Sequence, residues 1–315
     1  MDNMEMIIEH IRRYVDFYDI IPITGGYSGD KKYLCRTKTG EKKIIRVTIS
    51  DDPNVLISGK KQFELIQQLR HYSSLVPKPY DFLISDDHGF ALMILEYIDG
   101  EDGEVSLKAL NADLQYEIGY RAGVELKNLH QLVAPPDYPS WSFLKWRKYE
   151  WYWNEYQKNP LDSPIFNLNA IDSFIRKHQY LINNVCSTFQ HDDFHPANLI
   201  IRNGHLNGII DFNRCDYGDP IHDFYKVAFF SRNISIPFSR GQVDGYFLGT
   251  IPADFWIKYT FYVAMSIISD LVWSDKYDRR TGSCQELRKS IHRISTICQD
   301  HDECRSVIPG WYNEG

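Results

Sequence analysis

Eight consecutive residues, His191-Asp192-Asp193-Phe194-His195-Pro196-Ala197-Asn198, concentrate side chains that handle protons or hold metals. An apolar run follows at 199–201, then Asn203-Gly204, then a second run (Leu206, Ile209, Ile210) that ends on Asp211. Asn-Gly between apolar segments is a strong hairpin signal, because both central residues of a type I′ turn need positive φ. A hairpin returns its outer ends side by side. Asn198 and Asp211 are therefore expected to lie together, with Asp193 on the preceding loop. Two oxygen ligands and one carboxylate base at one spot suit phosphoryl transfer through magnesium.

Such chemistry needs a nucleotide site, and the N-terminal third has the elements for one. Met4, Ile7, Ile8, Ile11 and Val15 recur at helical spacing. A strand at 20–24 then runs into Gly25-Gly26-Tyr27-Ser28-Gly29, with further strands at 33–37 and 43–49. Strand, glycine-rich turn, strand is a form whose tip can lie over phosphates. Arg46 sits inside the apolar third strand, where a cation needs a partner. Glu64, on a helix expected over 59–72, is the candidate. Strands at 81–85 and 90–97 follow, and the apolar run stops at Glu96-Tyr97-Ile98, where a lobe boundary is placed. In a kinase-like reading the backbone there hydrogen-bonds the purine, which puts Glu96 and Ile98 at the nucleotide.

The remainder reads as mainly helical: 111–132, an aromatic-rich stretch within 138–184, and segments at 256–273 and 285–297. The aromatic stripe is core in the ordinary case and doubles as a wall of a substrate pocket in a functional one. His130 reads as a packed histidine. Asp219 and Asp223 read as residues that cap the next helix and brace the catalytic loop.

With 315 residues the chain exceeds one ordinary core, and 43% apolar residues are ample to fill two. A net charge of -7 argues against nucleic acid and leans toward a cationic ligand. The N-terminus lacks the basic flank and apolar core of a signal peptide, no membrane-spanning run of about twenty apolar residues is expected, and six scattered cysteines suit a reduced, cytoplasmic protein.

On these residues the chain resembles the aminoglycoside phosphotransferase and choline kinase family of small-molecule kinases. Residues 191–198 are similar to that family's H-G-D-x-H-P-x-N loop, Ile209-Ile210-Asp211-Phe212 to its I-D-F metal motif, and Gly218-Asp219-Pro220 with Asp223 to its G-D-P-x-x-D segment. The resemblance implies an α+β, two-lobed protein-kinase-like fold: an N-terminal antiparallel sheet with a pairing helix over residues 1–97, and a larger helical lobe over 98–315. It further implies Asp193 as catalytic base, Asn198 and Asp211 as ligands of Mg2+, and ATP or GTP as donor. Gly26, Ser28, Arg46, Glu64, Glu96 and Ile98 would bind the nucleotide. The acceptor would be a small-molecule hydroxyl, an aminoglycoside first, with a macrolide, choline, homoserine or a sugar as alternatives. Asp270 and Trp273, with Asp275 and Asp278 nearby, are the candidate substrate residues, suited to an amino sugar. Two departures stand out: Asp192 replaces the family's frequent glycine, and Arg46 the lysine of protein kinases.

Two other functions compete. A metallohydrolase would use His191, Asp193, His195 and Asp211 as ligands but leaves Asn198 and Arg46 idle. An inactive nucleotide-binding module has no need for a complete Asp193, Asn198 and Asp211.

Overall fold

The computed structural model describes residues 3–23, 29–85, 89–160, 166–302 and 305–313. They form two compact units, one of residues 1–100 with 207–213, the other of 101–206 with 214–315. The first unit thus ends just past the expected boundary at 97 and takes back the segment that carries Asp211.

In unit 1, helix α1 (Asn3–Tyr14) precedes strands β1 (Phe17–Ile23), β2 (Lys31–Thr37) and β3 (Lys42–Ile49); then come helix α2 (Pro53–Leu69), β4 (Pro79–Ile84) and β5 (Phe90–Glu96). The strands pair antiparallel in the order β1-β2-β3-β5-β4. Tyr33, Cys35, Ile45, Val47, Leu92 and Ile94 alternate along the strands and pack against Ile7 and Ile11 of α1 and Val15 just after it. That is the period-two burial expected of a sheet with a helix on one face. Helix α2 starts well before the expected residue 59, because Asp52 accepts from Asn54 N (2.9 Å) and Pro53 takes the first helical position. Phe63, Ile66 and Leu69 form its buried stripe.

Unit 2 begins with the short β6 (Glu101–Asp102) and α3 (Gly103–Ser106), followed by α4 (Ala112–Leu129), α5 (Trp141–Lys158) and α6 (Leu168–Lys177). Strand β7 (Thr188–Gln190) leads into the catalytic-type loop, and β8 (Leu199–Arg202) leaves it. Asn203 and Gly204 both have positive φ (52° and 76°), as a type I′ turn requires, before β9 (His205–Ile209). Strand β10 (Asp216–Gly218) pairs with β7. A π-helical turn, Val227–Ser231, runs into α7 (Arg232–Ile234), then α8 (Ile236–Phe247), α9 (Phe255–Thr281) and α10 (Gln285–Asp300).

Helices α4 and α8 touch backbone to backbone. A Cβ on Gly119 would lie 2.1 Å from Phe238 O, on Gly123 2.1 Å from Gln242 O, on Gly241 2.2 Å from Tyr116 O and on Gly245 2.0 Å from Tyr120 O. Two small-xxx-small pairs, one per helix, make this approach possible. Helix α9 is the spine of unit 2. Contrary to the sequence expectation, it is long and apolar enough by composition to cross a membrane, yet 72% of its apolar window is buried inside the fold.

Candidate active site

In unit 2, the loop between β7 and β8 is shaped from behind by Asp223, which is fully buried. Its carboxylate accepts from the backbone N–H groups of His191 (2.8 Å) and Asp192 (2.7 Å), and it lies 3.0 Å from His130 Nε2. Asp192 adopts φ +54°, a left-handed conformation that glycine takes freely and that aspartate tolerates. Asp219 caps the following turn through Ile221 N (2.9 Å) and accepts from Tyr262 (2.8 Å). His130 is a packed histidine, as read.

Asp193 emerges from this frame with three partners. Lys226 Nζ donates to Oδ1 at 2.7 Å, Asn198 Nδ2 to Oδ2 at 3.2 Å, and His195 Nε2 stands 3.5 Å from Oδ1. Burial alone would push this carboxyl up. The bond to His195 and the Lys226 charge outweigh it, so Asp193 is held well below the usual carboxylate range. His195 stacks on Phe230 at 4.7 Å and His191 packs edge-on against Phe194 at 5.7 Å, so both histidines shape the loop. Lys226 was not picked out from sequence: it lies far downstream of Asp193, just before the π-helical turn.

Unit 1 carries the residues expected at the nucleotide. Arg46 does not pair with Glu64, which is exposed. Arg46 Nη2 instead bridges to Asp30 at 2.5 Å, and Nη1 donates to Gln62 Oε1 at 3.2 Å. Thr48 fills the second oxygen of Asp30 at 2.8 Å. Gln62 in turn donates to Phe212 O (2.6 Å) and Asn213 Oδ1 (2.7 Å), so it ties the strand cation to the segment after Asp211. Position 62 shares the stripe of Gly59, Ile66 and Leu69, whereas 64 falls on the opposite side of α2; the helical period could have shown this. Glu96 Oε2 accepts from Lys78 N at 2.9 Å, and Ile98 covers the backbone at Gly208, where a Cβ would come within 2.5 Å. Gly26 and Ser28 lie outside the described residues.

A profile of the phosphotransferase enzyme family matches residues 19–256. The chain belongs to that family. Among solved structures, a gentamicin complex of APH(2'')-IIa aligns over 97% of this chain and 99% of its own, at 19% identity and TM-score 0.63. A GDP complex of aminoglycoside 2'-phosphotransferase-IIIa aligns over 94% and 98%, at 13% identity and TM-score 0.68. The apoenzyme of macrolide 2'-phosphotransferase MphH from Brachybacterium faecium aligns over 92% and 97%, at 15% identity and TM-score 0.62. No curated protein matches. The kinase-like α+β fold and the small-molecule kinase class expected from sequence are those of this phosphotransferase family.

Magnesium is the metal such a phosphotransferase implies, and each unit by itself offers an oxygen of the kind it takes. Asp211 Oδ1 is buried without a donor among the described residues, and Asp211 itself sits at φ +66°. Asn198 spends its amide nitrogen on Asp193, which leaves its oxygen as the ligand atom. The metallohydrolase reading fares worse. Among the described residues the grouped ligand types are Asp192, His222 and Asp223. Asp223 is filled by His130 and two backbone N–H groups, and His222 Nε2 is held by Lys145 at 2.5 Å.

The candidate substrate carboxylates are engaged elsewhere. Asp270 accepts from Arg293 (2.8 Å) and Ser290 (2.6 Å) on α10. Asp275 pairs with Arg279, and Asp278 caps α10 through Glu286 N and Leu287 N. Trp273 stacks on Tyr277 at 5.1 Å and is 38% exposed. Asp270 and Asp278 join α9 to α10, and Asp275 pairs one turn along α9 itself.

Proposed function

We propose that the protein moves the γ-phosphoryl group of ATP or GTP onto a hydroxyl of a small molecule, in the cytoplasm, with magnesium. The observation that carries this reading is Asp193, kept ionised by Lys226 and His195 and hydrogen-bonded to Asn198. Magnesium held by Asn198 and Asp211 would neutralise phosphate charge. A carboxylate of such low basicity is a weak proton acceptor at the outset. Its work is to accept a hydrogen bond from the acceptor hydroxyl and aim the oxygen lone pair at the γ-phosphorus. The new bond joins that oxygen to phosphorus, the bond from phosphorus to the β-bridging oxygen breaks, and the nucleoside diphosphate leaves. The hydroxyl proton passes to Asp193 and on to solvent.

Arg46 would steady the donor phosphates after release from Asp30, with Gln62 holding its orientation. An aminoglycoside or a macrolide is the acceptor class of the structures with this fold, and a hydroxyl on a metabolite such as choline, homoserine or a sugar uses the same chemistry. The test is ADP or GDP release across a panel of alcohols with both nucleotides. Asp193→Ala should lower kcat roughly 10²–10⁴-fold, the usual worth of a positioned base. An Asp193→Ala enzyme with wild-type turnover would refute the assignment.

A further inference from the structure

One face of α5 carries two lysines that the phosphoryl-transfer reading does not use. Lys145, Lys148 and Tyr152 recur at helical spacing and line a small pocket of about 30 Å³ with Asp192, His222 and Tyr225. Two of its lining residues are chain neighbours of the Asp193 pair: Asp192 precedes Asp193, and Tyr225 precedes the Lys226 that grips it.

The charges here are unbalanced. Lys145 is buried, yet its hydrogen-bond partner is the neutral ring of His222 at 2.5 Å, and no carboxylate lies within ion-pair range of it among the described residues. Lys148 is exposed and has no partner among the described residues. Lys226 is spent on Asp193. Of the described acids around α5, Asp192 in the pocket accepts from Tyr225, and the others named next are taken by cations. Glu150 and Asp172 hold Arg176, Glu155 holds Lys158 and Lys276, and Asp270 holds Arg293. A buried ammonium without a counter-ion is costly, and a bound anion removes that cost.

We propose that this pocket binds a carboxylate or phosphate group of the acceptor, so that the substrate is an anionic alcohol and not a polycationic amino sugar. The inference rests on the phosphotransferase reading above. Lys148 captures the anion at the rim, Lys145 meets it inside, and Tyr152 and Tyr225 offer neutral walls. Burial and the nearby Lys148 bring the Lys145 pKa down to about 7, so the bound anion should restore its proton. The groups that face Lys145 are Lys148 on its own helix, Asp192 on the loop, His222, Asp216 and Lys226.

The test compares glycerate and glycerol 3-phosphate with glycerol, gentamicin and streptomycin as acceptors, each with ATP and GTP. Turnover should favour the anionic pair. Lys148→Gln, on an exposed position that tolerates the change, should raise their KM roughly 10- to 100-fold, as loss of a charged hydrogen bond does, and by more than it lowers kcat. Higher kcat/KM for gentamicin or streptomycin than for either anion would overturn the inference and leave the phosphotransferase reading intact. So would an anion KM unmoved by Lys148→Gln. If no acceptor turns over, acetate and inorganic phosphate are titrated against 13Cε-labelled lysine. The Lys145 pKa should rise with one of them, which also tells carboxylate from phosphate; a Lys145 signal blind to both overturns the inference. Loss of all Asp193-dependent nucleotide turnover, to acceptors and to water alike, would instead sink the phosphotransferase reading itself.

Discussion

Replacing Lys226 with methionine removes one half of a buried ion pair and keeps most of the side-chain volume. The Lys226 side chain is 4% exposed and that of Asp193 18%, with Nζ 2.7 Å from Oδ1. At that separation and an effective dielectric near 20, the attraction is about 6 kcal/mol. Desolvation of the two groups offsets most of it, so the pair as a whole contributes little. Breaking it is different, because the carboxylate stays behind. Asn198 and His195 still soften its burial, which places the cost at the lower end of the usual range, about 3 kcal/mol. Adding Asp193→Asn to Lys226→Met removes the stranded charge and should recover at least about 2 kcal/mol of the loss. Urea denaturation of the wild type, both single variants and the double variant, followed by circular dichroism, measures this coupling. The acid limb gives an independent sign. Asp193 has a depressed folded pKa, so its contribution is present above the unfolded value near 3.9 and fades as pH falls through the folded one. Lys226→Met should therefore shift acid unfolding to higher pH. A single-variant cost under about 1 kcal/mol, or strict additivity in the double variant, would refute the ion pair as described.

Lys145 gives a pH dependence of the same sense in a higher pH window. Its pKa is lowered from 10.5 to about 7 by burial first and Lys148 second, so between those values the unfolded chain binds a proton that the folded chain lacks. Wild-type stability should rise from pH 7 to about 9 relative to Lys145→Met, by at most about 1.4 kcal/mol per pH unit; parallel stability curves for the two proteins would count against the burial. Gly123→Ala pushes a methyl group to within 2.1 Å of Gln242 O and should cost about 2–3 kcal/mol as α4 and α8 separate, read as a drop in Tm. Asp211→Ala should abolish the magnesium-dependent part of nucleotide binding in calorimetry; equal affinity with and without the metal in both proteins would exclude Asp211 as a ligand.

The loop and its hairpin were legible because their chemistry is local. Eight residues hold the proposed base, one proposed metal ligand and the loop-shaping histidines, and Asn203-Gly204 announces the turn by its need for positive φ. Arg46 was legible as a strand cation, but its partner was not. Asp30 sits just before β2, two residues from Lys32, which is the residue across from Arg46 in the β2–β3 register. A cross-strand diagonal of that kind depends on register, which the apolar pattern around Arg46 does not specify. The substrate carboxylates failed for a related reason. An acid on a long helix reads as free until the neighbouring helix is in place, and α10 brings Arg293 and Ser290 to Asp270.

By itself, then, the sequence determined which residues are proposed for the chemistry, since Asp193, Asn198 and Asp211 stand out by motif and spacing within one loop and hairpin. The tertiary structure decided the charge each of them feels. Lys226 reaches Asp193 from 33 positions away, Gln62 binds Asn213 across 151, and Lys145 meets His222 across 77. Electrostatic energy follows distance through space and burial from water, and neither quantity is written in the order of residues along the chain.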